Sequence, residues 1–452
     1  MYNKVSPDLL AALAAVVGGK QVVTGEDIGA DFGHDEYSGA HNMPEAVVEA
    51  GSTEDVAAVI KLCAENNVPV TVRGAGTGQA GGSVPVEGGV VLSLKGMNQI
   101  LGFNEADKTL RVQPGVLLQD VKAEAESHDL YYPPDPGEQT ATIGGNAATN
   151  AAGPCAVKYG TTRDYIADAV IVLADGSVVS LAGNEAVLGS EGTLGVITEL
   201  SLRLIEKPAA DAILLFPFMD TESCVNAAKT LIDAGFDPAV AEYMDTDLVE
   251  FSGNVTGNPV FPVEMDDERV GATLMFTVEA EDDDAVMERM EAIAEMAEEL
   301  ECLDILVGDT LSMKRDFWDA HSAFHTSMES GAKCAAEINI ELPLDAAAQM
   351  VEFAKAQGEA EGLKVMINAH LGSGGMHIHA AADCAKDEFA PKFARFADAV
   401  YAQCSAVGGC IRGEYGIGCA KRQYVAEADK AAQAEAKAKY DPAGILNPGK
   451  II

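Results

Sequence analysis

His370 and His377 stand on either side of the glycine-rich turn 372–375, and His379 shares the face of His377 if the residues after the turn form a strand with its period of two. Three imidazoles at one turn suit a divalent cation, and Glu414 would add an oxygen to give a mixed set compatible with zinc, iron or manganese. A hydrogen-bonded histidine cluster without a metal meets the same spacing. A second kind of chemistry is written in two glycine-rich stretches, 69–82 and 140–153. A pyrophosphate needs several backbone N–H groups converging on it, and only segments poor in bulky Cβ atoms let the main chain come that close. Arg73, Gly74, Ala75, Gly76, Thr77, Gly78 and Gln79 in the first stretch, and Thr142, Gly144, Gly145, Asn146, Thr149, Asn150 and Gly153 in the second, have that character. They read as paired loops around a flavin dinucleotide.

Gly76, Gly78 and Gly81 also satisfy the spacing GxGxxG of a Rossmann turn, but that turn must open a helix. Residues 83–94 carry Pro85 early and then a β-branched run, so they read as loop and strand. A third glycine-rich stretch lies at 189–195. The elements that would position these loops begin with a helix capped by Ser52, whose Val56, Val59, Ile60 and Cys63 repeat at helical spacing, followed by a strand at 68–72. Further strands are expected at 89–94, 109–112, 169–173 and 198–204, with a helix near 116–127, and this part ends near Lys207 and Pro208. The pattern then restarts, with strands at 213–216, 271–278 and 336–342 and helices at 222–234, 283–300, 311–330 and 345–357. A strand-loop-strand at 364–380 carries the histidines, and a helix at 386–406 follows. Strands and helices in this order predict an antiparallel sheet with helices on one face, an α+β arrangement.

Taken together, Tyr132-Pro-Pro-Asp-Pro136, 157–164, 189–195, 370–379, Gly413-Glu-Tyr-Gly-Ile-Gly418 and 441–449 resemble the FAD-linked oxidoreductases of the vanillyl-alcohol oxidase type. The similarity is to the glycolate oxidase and D-lactate dehydrogenase branch, and it covers nearly the whole chain. It implies a PCMH-type, two-subdomain FAD-binding domain at 1–207, a cap or substrate domain at 208–407, and a segment at 408–452 that returns to the flavin domain. Beyond the loop residues, it implies FAD contacts at Pro134, Asp135, Tyr159, Glu191, Gly192, Ile197 and Asn447. It also implies that His370, His377 and Glu414 hold a divalent ion beside the substrate. The implied activity is hydride transfer between a small 2-hydroxy acid and FAD, with electrons passed to an electron-transfer flavoprotein or an iron-sulfur protein. The first loop offers no histidine or cysteine for covalent attachment, and Cys155 is the only nearby candidate, so non-covalent FAD is expected.

The substrate half departs from the family pattern. Relatives place a histidine base after the glutamate, where this chain has Tyr415. A phenol titrates near 10 and does not accept a proton readily at neutral pH, although it can donate a hydrogen bond. The substrate-carboxylate arginine falls at His321, a lysine at Glu337, and an asparagine at His379. A new cation, Arg412, stands before Gly413 and could fork onto a carboxylate instead. Tyr415, His379, His321 and Arg412 are therefore the candidate catalytic and substrate residues. The departures leave open a less acidic alcohol or phenolic substrate, operation as a reductase, or an electron-relay protein whose substrate site has decayed.

At 452 residues the chain suggests two or three lobes, and a formal charge of −41 (30 Lys plus Arg against 71 Asp plus Glu) repels phosphate backbones and anionic lipids. Nucleic acid is not an expected partner, and no apolar run is long enough to predict insertion in a membrane. Nine cysteines without CxxC pairing, and no signal-like opening, predict a reduced cytoplasmic protein without an iron-sulfur relay of its own. A homo-oligomer is compatible with these features.

Overall fold

The computed structural model describes residues 1–451, which divide into two compact units. The first comprises 1–152, 161–207 and 415–451; the second comprises 153–160 and 208–414. The chain thus changes unit at Lys207 and Pro208, while 408–414 stay with the second unit and Tyr415 begins the returning segment of the first.

Within the first unit, the helix Thr53–Glu65 starts where Ser52 Oγ accepts the Asp55 N–H at 3.1 Å, and it buries Val56, Val59, Ile60 and Cys63. That face packs on a sheet in which Ala46–Glu49, Val90–Ser93 and Val70–Arg73 run parallel in that order, with Val22–Thr24 antiparallel on the outer edge. A second, antiparallel sheet has the order Ile100–Asn104, Thr109–Val112, Val196–Arg203, Ile166–Val172, Val178–Ser180. The returning segment adds to the first sheet: Val70 N donates to Ile445 O at 2.8 Å and Asn447 N donates to Val70 O at 2.7 Å. Asp441 fixes this bend by accepting the N–H groups of Ile445 and Leu446 at 3.1 and 2.7 Å.

The second unit is built on one antiparallel sheet of seven strands, in the order Leu306–Gly308, Ala210–Phe218, Ala272–Ala280, Val240–Asp245, Lys364–His370, Gly375–Ala382, Cys334–Glu341. Three elements differ from the pattern expected. The central strand Val240–Asp245, absent from the pattern reading, is buried along its whole length, because its glutamate and aspartate find partners inside. The long helix expected at 311–330 is two helices, Leu311–Ser322 and Phe324–Gly331, meeting at Ala323. Likewise the helix expected at 283–300 ends at Ala294, before a second, one-turn helix Ala297–Leu300.

Candidate active site

In the first unit the predicted loops converge. A Cβ on Gly74 would lie 2.1 Å from Thr142 Oγ1, so the first and second glycine-rich stretches touch only because residue 74 lacks one. Gly76, at φ +85°, sits against the Arg73 guanidinium in the same way. Arg73 is buried, donates to His34 O at 2.7 Å and to Ser83 Oγ at 3.3 Å, and lies over the Phe32 ring, so it braces the loop from behind. Ala75, Thr77 and Gln79 are half-buried and Gly78 is exposed. In the second stretch, Gly144 is required by Pro114, whose Cβ would stand 2.4 Å from an added Cβ. Gly145 and Thr149 lie on the helix Ile143–Thr149, which Asn150 ends in the left-handed region at φ 56°.

Asn447 joins the third stretch to the first by donating Nδ2 to Gly82 O at 2.9 Å and Glu191 O at 2.7 Å. Gly192, at φ +73°, packs near Val72 and Asn447, and Ile197 is buried on the strand Val196–Arg203. Two buried polar atoms here lack a hydrogen-bond partner, Asn146 Nδ2 and Asn447 Oδ1. Convergent loops, close-approach glycines and these orphaned atoms fit a dinucleotide made of hydrogen-bonding groups. Three predicted contacts are otherwise engaged. Glu191 accepts the N–H groups of Ile417 and Gly418, both at 2.7 Å, and Asp135 binds Lys122 at 2.7 Å and its own turn through Gly137 and Gln139. Tyr159 falls in the second unit and donates to Glu279 at 2.5 Å, and Gly153 lies at that unit's boundary, while Pro134 is buried in the first.

The histidines lie in the second unit. Strand pairing sets Glu242 beside His370, Asn368 between His377 and Met244, and His379 between Met366 and Glu337, all on one face of the sheet. His370 and His377 point Nε2 at each other, 3.1 Å apart. Behind them, His370 Nδ1 meets Glu242 Oε1 at 2.5 Å and His377 Nδ1 meets Glu337 Oε1 at 2.8 Å. Those carboxylates orient the rings through Nδ1 and turn both Nε2 atoms inward. Glu414 completes the group, with Oε1 3.3 Å from His370 Nε2 and Oε2 3.6 Å from His377 Nε2. A tetrahedral ion with bonds of about 2.0 Å separates its ligands by roughly 3.3 Å, a spacing close to those between the two Nε2 atoms and the Glu414 carboxylate. Glu414 Oε1 is buried without a hydrogen-bond partner, a second sign that the set suits a cation.

Glycines again set the approach. A Cβ on Gly375 would press on His370 at 2.9 Å and Glu414 at 3.3 Å, and Gly413, at φ +55°, lets Asn339 Oδ1 accept the Glu414 N–H at 2.7 Å. The charges reinforce one another. Burial pulls His370 toward neutrality, but Glu242 and Glu414 outweigh it and raise its pKa well above 6.5. His377, opposed by burial in the same way, is lifted to about 9 by Glu337 and Glu414. Burial would raise Glu414 and Glu242, yet the facing histidines hold Glu414 well below the usual carboxylate range and Glu242 at about 2.

The third histidine does not join this group, which corrects the expectation of three imidazoles on one ion. His379 is about 6.6 Å farther along its strand, and meets Glu337 Oε2 at 3.5 Å and Asn368 Oδ1 at 3.1 Å. His321, buried at the end of its helix, lies 3.0 Å from Glu242 Oε2. Arg412 is half-buried in the turn before Glu414, and Tyr415 is half-buried at the start of the first unit's returning segment. Sequence reasoning missed Glu242 and His325, and read Glu337 only as a lost lysine. Glu242 has no pattern signal, because an acidic residue in a fully buried strand is visible only from its partners.

These features define a flavoprotein of two parts. Residues 44–182 match the family described as FAD binding domain, and 207–451 match FAD linked oxidases, C-terminal domain. The chain belongs to this family and is an FAD-linked oxidoreductase. It is 38% identical over 469 residues to a D-lactate dehydrogenase of Anaerostipes hadrus, covering 100% of this chain and 98% of that protein. It is 30% identical to glycolate oxidase subunit GlcD of Bacillus subtilis strain 168, covering 93% and 92%. Among solved structures, substrate-bound p-cresol methylhydroxylase superposes with a TM-score of 0.80 at 17% identity over 98% of this chain and 96% of that one, a likeness of fold. No helix among the described residues is long and apolar enough to cross a membrane.

Proposed function

We propose that the chain is a dehydrogenase of small 2-hydroxy acids, D-lactate or glycolate in type, with non-covalent FAD and a divalent ion on His370, His377 and Glu414. The observation that carries this reading is the pair of imidazoles facing each other at 3.1 Å with Nδ1 pinned on carboxylates, beside Glu414. The 38% identity to a D-lactate dehydrogenase supports the substrate class. When bound, FAD supplies a hydride acceptor and the ion supplies Lewis acidity toward a hydroxyl and carboxylate. Glu242 and Glu337 orient the two imidazoles through Nδ1, and Asn339 orients Glu414 through its N–H. Arg412 is assigned the substrate carboxylate, and Tyr415 a hydrogen bond from its phenol to the substrate oxygen. Electrons leave to a separate protein, an electron-transfer flavoprotein or an iron-sulfur protein, since no cysteine belongs to a cluster of metal ligands among the described residues.

A second reading, an alcohol or phenol as substrate, is favoured by one observation. His321 is spent on Glu242, and Glu337 adds a negative charge, so neither is available to bind a carboxylate. Anaerobic titration of the FAD-loaded protein decides among these. Bleaching by D-lactate or glycolate supports the first reading, bleaching only by alcohols or phenols the second, and no bleaching by any of them an electron relay. Tyr415→His supplies the base that the family pattern contains, and turnover of D-lactate is expected to rise by about 10²-fold, as for an added general base. An unchanged rate would show that the missing base is not what sets specificity.

A further inference from the structure

A second group of ligand atoms lies on the same sheet face, outside the set just described. His325 Nδ1 is 2.9 Å from Glu337 Oε2, His379 Nδ1 is 3.5 Å from the same oxygen, and the three ligand atoms all lie within 4.8 Å of one another. The residues come from three elements: the helix Phe324–Gly331, the strand Cys334–Glu341 and the strand Gly375–Ala382. We propose that His325, Glu337 and His379 form a second divalent-cation site, joined to the first through Glu337.

The tautomers carry the argument. Asn368 Oδ1 stands 3.1 Å from His379 Nε2, so this nitrogen holds the ring proton and donates it. Nδ1 of His379 then carries a lone pair, and it faces a carboxylate oxygen at 3.5 Å with no proton between them. Glu337 is only 7% exposed and His379 4%, so water does little to relieve two electron-rich atoms so placed. A cation between them removes the conflict. Oε1 of Glu337 is already taken by His377, which leaves Oε2 as the oxygen offered to this site. His325 is held from behind in the manner seen at the first site: Nε2 lies 3.5 Å from Glu329 Oε1, one helical turn on, which turns Nδ1 inward. In the metal-free chain the short His325 contact to Glu337 is a proton bridge, and a cation would displace that proton.

Separations of 2.9 and 3.5 Å bracket the roughly 3.3 Å that a tetrahedral ion imposes on its ligands. Two imidazoles and one carboxylate select zinc, or iron or manganese, over calcium or magnesium. Three protein ligands leave a position open for water or an anionic oxygen. This proposal goes beyond the single ion of the reading above, and a count of sites separates the two.

The test uses the full chain loaded with FAD, stripped with chelator and titrated with Zn²⁺, with bound metal counted after gel filtration. The expected result is two Zn²⁺ per chain, falling to one in His325→Gln and to one in His370→Ala, and to none in the double variant. His325 is a third exposed, so its replacement leaves the core intact. Glu329→Gln, which leaves all three ligands in place and weakens only the contact behind His325, is expected to weaken one of the two binding events by about 10-fold and leave the other unchanged. One Zn²⁺ in the parent that persists in His325→Gln and vanishes in His370→Ala would overturn the second site while sparing the first. Two that persist in His325→Gln would also overturn it.

Discussion

The buried histidines and carboxylates of the second unit are coupled to one another. His321 binds Glu242, which also binds His370, and Glu337 accepts from His377 while facing His325 and His379. An uncompensated charge in so buried a place would be costly, so a histidine and a carboxylate must appear together. Glu242→Gln tests the role of one such partner. The neutral amide holds the His370 ring less firmly and makes it less basic, so metal affinity should fall about 10- to 100-fold in competition with a chromophoric chelator. An unchanged affinity would reduce Glu242 to a packing residue. A second residue has a pH signature. Burial lowers Lys450 from 10.5 to about 8. The unfolded chain therefore holds more protons between those values, and this group's contribution to stability is present above 10.5 and lost as pH falls through 8. Its size is about 3 kcal/mol at most. Thermal melts of Lys450→Met from pH 8 to 10.5 should rise less steeply than those of the parent, and parallel curves would refute the assignment.

At the scale of elements, each site depends on backbones that approach closely. Gly74 and Thr142 bring two loops into contact, and Gly74→Val puts a branched side chain where even a Cβ would be 2.1 Å from Thr142 Oγ1. Overpacking of this kind costs about 1–3 kcal/mol, equivalent to roughly 5- to 150-fold in FAD affinity if the loops must part. FAD retention through gel filtration measures it, with circular dichroism to show that the fold is kept. Loop chemistry, caps and amphipathic periods were legible in the sequence: the Ser52 cap, the loop-and-strand after the first glycine stretch, and the strand-turn-strand bearing the histidines all form. The strand Val240–Asp245 was not. Ala241, Glu242 and Asp245 are poor strand formers, and only neighbours distant in sequence make their burial tolerable. The break at Ala323, which separates His321 from His325, was equally hidden in a continuous helical period.

For the whole molecule, a formal charge of −41 opposes the compact state by self-repulsion. Raising NaCl from about 0.01 to 0.5 M shortens the screening length from roughly 30 Å to under 5 Å and should raise the melting temperature. A melting temperature that falls or stays level would mean that ion pairs outweigh the repulsion. By itself, the sequence determined the flavin-binding class and set His370 and His377 on either side of one turn, because those signals are local: glycines where a backbone must bend, and histidines at strand spacing. Which carboxylate stands behind each imidazole, and that His379 turns from the first group toward Glu337 and His325, was decided only by the tertiary structure. Such pairings join residues up to 128 positions apart, and the register of neighbouring strands selects them.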